Sequence, residues 1–169
     1  MGIDQILPVP DTEQVLAESI EKEDKTMIDR NKIDIEAFEE DYRSAQMYHH
    51  RAKQFAKEGQ SSSVVFNVAS VALENYLIAL CDLYGEEPGN HNYTCLMDSV
   101  ETVVAVSEIL NKEIRSLDLI FGICSLENYY HGVPEESDSD RVLAMCDEVK
   151  QLFDQTRIAA VRAVLKNSE

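Results

Sequence analysis

The chain has 169 residues, with 15 Lys and Arg against 32 Asp and Glu, for a formal net charge of −17. One domain of that length with 44% apolar residues can bury a real core, which excludes a disordered acidic tail. Six Gly, four Pro and no Trp argue against a loop-rich or all-β protein.

Residues 1–33 are polar and weakly patterned. The opening "MGIDQILPVPDTEQ" has neither the basic nor the apolar region of a secretory signal, so the expected location is the cytoplasm. Pro8 and Pro10 break what precedes them, and Asp11 or Thr12 can cap a short helix with Val15, Leu16, Ile20 and Met27 as a thin apolar stripe. This segment reads as an arm ahead of a domain spanning 34–167.

From Asp34 the periodicity firms. Ile35, Phe38, Tyr42, Ala45, Tyr48, Ala52 and Phe55 recur at spacings of three and four, one face of a helix that Gly59 ends. Val64 to Tyr84 is apolar around most of its circumference, which makes it the central helix. Glu74 and Asp82 interrupt that run, so no membrane span is expected. Gly85 closes the helix. A shorter helix is predicted from Tyr93 to about Val106, and another from about Ser107 to Tyr130, with a kink or break near Ala105 left open. Gly132 and Pro134 stop the chain again. Ser139 or Asp140 then caps one long helix to about Lys166, roughly 40 Å at 1.5 Å per residue. That length exceeds what a small bundle needs, so its second half is expected to pack on the N-terminal arm or on a second chain. The predicted fold is an all-α, up-and-down helical bundle of about five main helices with an extra N-terminal helix.

The charge is uneven. Residues 61–139 carry 13 acids against only Lys112 and Arg115. Binding nucleic acid requires several phosphates to be neutralised, so nucleic acid is a poor partner. Cys81, Cys95, Cys124 and Cys146 are widely spaced among apolar neighbours, which suits buried free thiols rather than a redox pair or zinc knuckle. No Glu is followed by His at the third position, so no di-metal site is expected, and no cofactor motif is present.

The candidate ligand-binding residues are Glu127, Asn128, Tyr129, Tyr130 and His131, together with Glu74. Two aromatics and a His before a Gly-Pro loop can line a small cleft for a flat ligand. His131 at a helix end can equally satisfy free carbonyls there. Glu74, deep in an apolar helix, requires a partner, with Tyr93, Arg115, Tyr129 or His131 as candidates. His49 and His50 point about 100° apart, and with Arg51, Lys53 and Lys57 they read as a solvated basic face. His91 is expected to help satisfy the start of the third helix.

Over roughly residues 34–166 the order of elements resembles the HEPN domain family. "IEAFEEDYRSAQMYHHRAKQFAKEGQ" is similar to its opening helix, and "SVVFNVASVALENYLIALCDLYGEEP" to its apolar second helix with an embedded acid. "NHNYTCLMDSV" is similar to the start of its third helix, with His91 and Leu96 in place and Tyr93 where Leu is usual. "LENYYHGVPEESD" is similar to the segment preceding its last helix. The resemblance implies a bundle that dimerises and serves as a metal-independent ribonuclease, as the partner of a nucleotidyltransferase in a toxin–antitoxin pair, or as a non-catalytic binding module. In the ribonuclease branch an Arg is separated from the matching His131 by four to six intervening residues; Cys124, Ser125 and Leu126 stand there, and Ile78 stands where a Lys is frequent. A site for a negative transition state needs such cations. The expectation is therefore a non-catalytic binding or scaffold protein, homodimeric through its long C-terminal helix, with a further protein partner possible in principle.

Overall fold

A computed structural model describes residues 32–121 and 133–166. These form an all-α bundle of six helices, and no strand occurs among the described residues. In chain order they are α1 (Ile35–Lys57), α2 (Ser62–Tyr84), α3 (Tyr93–Val103), α4 (Glu108–Phe121), α5 (Glu136–Gln151) and α6 (Gln155–Lys166). The arm, residues 1–31, lies outside the described residues.

Local chemistry sets the boundaries. Asp34 caps α1 by accepting from the Ala37 amide at 3.0 Å. Gly59 follows α1 with φ +72°, and Gly85 closes α2 with φ +71°, a left-handed conformation that costs other residues energy. Glu135, rather than Ser139 or Asp140, starts α5: the Asp138 carboxylate accepts from the Glu135 amide at 3.0 Å as half of a capping box.

The α1–α2 hairpin is the largest helix pair, and α2 is central, touching α1, α3, α5 and α6. Leu73, Leu77, Leu80 and Leu83 are fully enclosed, and Phe38, Leu96, Ile114, Met145 and Ile158 meet them from the surrounding helices. By length and hydropathy α2 meets the requirement for a membrane span, despite Glu74 and Asp82. Most of its apolar circumference is taken up by packing on its neighbours, while Val64 and Val71 stay exposed.

The region near Ala105 is a break. Val104 is extended (φ −135°, ψ 148°), and Ser107 restarts the chain as α4, its Oγ accepting from the Leu110 amide at 3.2 Å. The second break was not expected. The predicted 40 Å final helix is two helices, interrupted at residues 152–154. Phe153 turns into the core, its ring centroid 4.6 Å from that of Tyr42 and 5.9 Å from that of Tyr76. Asp154 then caps α6, accepting from the Thr156 amide at 2.8 Å and the Arg157 amide at 3.2 Å. Ile158 and Val161 are buried, Arg157 donates to the Leu83 carbonyl at 3.0 Å, and Arg162 pairs with Glu39. The second half of the helix thus folds back on α1 and α2 of its own chain. The single long helix through which a C-terminal dimer was expected is thus two shorter ones.

Candidate functional site

Of the six candidate residues, Glu127, Asn128, Tyr129, Tyr130 and His131 lie outside the described residues, as does Cys124. Glu74 lies within them, and its setting differs from the expected one. It sits on the outward side of α2 with its side chain 33% exposed, and its Oε1 is 3.2 Å from Nδ1 of His91. Its partner is therefore the loop histidine. Tyr93 is committed elsewhere, its hydroxyl donating to the Ser70 carbonyl at 3.1 Å. Arg115 is held by Asp98 at 2.7 Å and Glu101 at 2.6 Å.

The start of α3 is also satisfied differently. Asn92 accepts from the Cys95 amide at 2.8 Å, while Asp118 reaches across from α4 to accept from the amides of Tyr93 (3.0 Å) and Thr94 (2.7 Å). Asp118 gave no sequence signal, because its role depends on how α4 folds back.

The acid that burial perturbs is Asp82, on the last turn of α2. Removal from water, the neighbouring Asp41 carboxyl and Asp34 push its pKa up to about 7. Asp41 on α1 is raised as well, chiefly by burial. With both acids ionised, the buried Oδ2 of Asp82 has no donor. A proton on Asp82 supplies one, and the pair then shares a hydrogen bond. Negative charge at a helix C-terminus is unfavourable too, which acts in the same direction.

Asp82 opens onto a cavity of about 540 Å³ at the open end of the hairpin. Lys32, Asp34, Ala37 and Gly85 line it with Glu86 and Glu87. Its acceptors outnumber its one ammonium, so an ammonium or guanidinium group suits it better than a phosphate. Among the described residues no three His, Cys, Asp or Glu side chains are placed to share a metal ion.

A second polar chain crosses the interior. His49 is 4% exposed, not part of a solvated face. Tyr76, whose hydroxyl burial holds protonated, lies 3.2 Å from His49 Nδ1, and Asp147 of α5 lies 3.4 Å from Nε2. The phenol donates to Nδ1; Nε2 then carries the ring proton and, although near Asp147, makes no hydrogen bond to it. Burial, followed by the nearby Lys53 charge, lowers the His49 pKa and favours the neutral ring. Of the other members of the expected basic face, Lys53 pairs with Asp147 and Arg51 lies over the Phe55 ring at 4.5 Å. The thiols of Cys81 and Cys146 are buried; burial raises both, Cys81 to about 12, so neither is a ready nucleophile.

No family model, curated protein or solved structure matches the chain.

Proposed function

We propose that this chain is a non-catalytic, HEPN-like helical-bundle binding or scaffold protein that works as a homodimer. The observation that carries this reading is the outer surface of the α1–α2 hairpin. Val64, Val71 and Tyr48 stand 37%, 38% and 41% exposed there, beside the partly buried Val68 and Ile78. Apolar residues recurring at helical spacing on an outward face indicate a surface used for association. The acceptor-rich cavity supports the same reading, since it suits a cationic partner group rather than an anionic transition state. Sedimentation of the full-length protein at micromolar concentration tests the reading, with a dimer expected and a clean monomer overturning its homodimeric part. Incubating the protein and a His131→Ala variant with mixed RNA tests the non-catalytic part. Equal background is expected from the two, and cleavage that His131→Ala abolishes would overturn it.

A further inference from the structure

Beside its core face, α1 carries a second stripe: Ala37, Asp41, Ser44, Tyr48, Arg51 and Phe55. Their spacings alternate four and three, so they fall along one line of the helix. None of the six is buried: Tyr48 and Arg51 are exposed, and the other four are intermediate. The outward stripe of α2 has the same spacing, running Val64, Val68, Val71, Asn75, Ile78, Asp82.

The α1 stripe is complementary to itself when reversed. An antiparallel copy centred between Ser44 and Tyr48 sets Phe55 against Ala37, Arg51 against Asp41 and Tyr48 against Ser44, each twice by symmetry. Each ring meets a side chain small enough to leave it room. The Ser44 hydroxyl adds a polar group beside the Tyr48 ring, and both hydroxyls can donate and accept. The one cation of the stripe meets its one acid. The same operation lays the α2 stripe on its own copy, with Val68 against Ile78, Val71 against Asn75 and Val64 against Asp82. A parallel arrangement would instead bring Asp41 and Asp82 of both copies together in chains of net charge −17, which opposes it.

Resting on the homodimer reading above, we propose that two copies associate through the α1–α2 faces, antiparallel about a twofold axis perpendicular to the helices, as an intermolecular four-helix bundle. A 23-residue helix is about 34 Å long, so two neighbouring helices offer roughly 600 Å² per copy, near the lower end of specific interfaces. Arg51 already lies over the Phe55 ring and bonds Gln54 Oε1 at 3.1 Å, so it reaches Asp41 of the second copy by exchanging the Gln54 contact. Self-pairing, rather than capture of the chain's own N-terminal residues or of another protein, is favoured because reversal matches large to small and cation to acid at all three pairs at once.

The test is sedimentation of four full-length samples: wild type, Arg51→Glu, Asp41→Arg, and an equimolar mixture of the two variants. Each single substitution places like charges at both symmetric contacts, and the dimer is expected to weaken at least tenfold. In the mixture, each variant of one kind meets the other with opposite charges at both contacts, so a heterodimer re-forms. That recovery also shows that both variants are folded. A wild-type dimer indifferent to both substitutions would overturn this surface while leaving the homodimer standing. Variants that stay monomeric when mixed would overturn the antiparallel register. A wild-type monomer would overturn both the homodimer and this interface, and would leave the face to another occupant.

Discussion

Replacing Asp82 with Asn should stabilise the protein at pH 8 and do so by less than half as much at pH 5. Asn fills the same space, carries no charge and can donate to Asp41 as the protonated acid does. The native pKa of Asp82 is raised from 3.8 to about 7. A group shifted in that direction contributes stability that is full below its unfolded pKa and is lost as pH rises through its folded one. The loss therefore falls between about pH 4 and 7, and above that window the wild type carries an ionised pair. A displacement of that size corresponds to about 4 kcal/mol at roughly 1.4 kcal/mol per pH unit. Asp82 is only partly buried, so solvent screening reduces the expected gain at pH 8 to about 1–2 kcal/mol. Urea denaturation followed by far-ultraviolet circular dichroism, at one chain concentration and at pH 5 and 8, measures it. His49, whose pKa burial lowers, costs stability as pH falls below 6.5, but it does so in both proteins and cancels in the difference. A variant less stable than wild type at pH 8, or a difference independent of pH, would refute the reasoning.

Other outcomes follow from single contacts. Gly59→Ala and Gly85→Ala impose the same left-handed strain, about 1–2 kcal/mol. At Gly85 the added carbon also meets the Lys32 backbone at 2.9 Å, while at Gly59 it meets nothing, so thermal melts should show the larger loss at Gly85. Tyr76→Phe leaves Nδ1 of buried His49 without a donor and should cost about 1–3 kcal/mol, read as a lower urea midpoint at unchanged slope. Iodoacetamide on the native protein should label the partly exposed Cys95 well before Cys81 or Cys146, as peptide mass mapping would show.

Much of the fold was legible because α1 and α2 each declare a repeat and an end. Phe38, Tyr42, Ala45 and Ala52 mark the inward face of α1, and Gly59 and Gly85 mark where the helices stop. The break at residues 152–154 was hidden because apolar residues continue across it, Val149 and Phe153 before and Ile158 and Val161 after, with only the five-residue step from Phe153 to Ile158 out of rhythm. Only Asp154 followed by Gln and Thr signals a new cap, and an Asp mid-helix is common enough to be passed over. The site was less legible, since its contacts join different helices. Asp41 meets Asp82 only through the register of the hairpin, and Asp147 meets His49 only because α5 packs across α1. Glu74 drew attention by its apolar neighbours in sequence, yet helical geometry turns it outward, where a loop histidine can reach it.

The joint ahead of α6 has a consequence for how the molecule opens. Because Asp154 gives α6 its own cap, that helix does not depend on α5 to begin, and Ile158, Val161 and its arginine contacts are among the groups that hold it on the bundle. It can detach as a unit while α1, α2 and α5 remain packed. Its amide protons should then exchange with solvent through a local opening far smaller in free energy than the global unfolding that exposes the centre of α2. The chain's last helix is in this sense a separately released cover on the ends of α1 and α2, and the core beneath it sets the slowest clock in the protein.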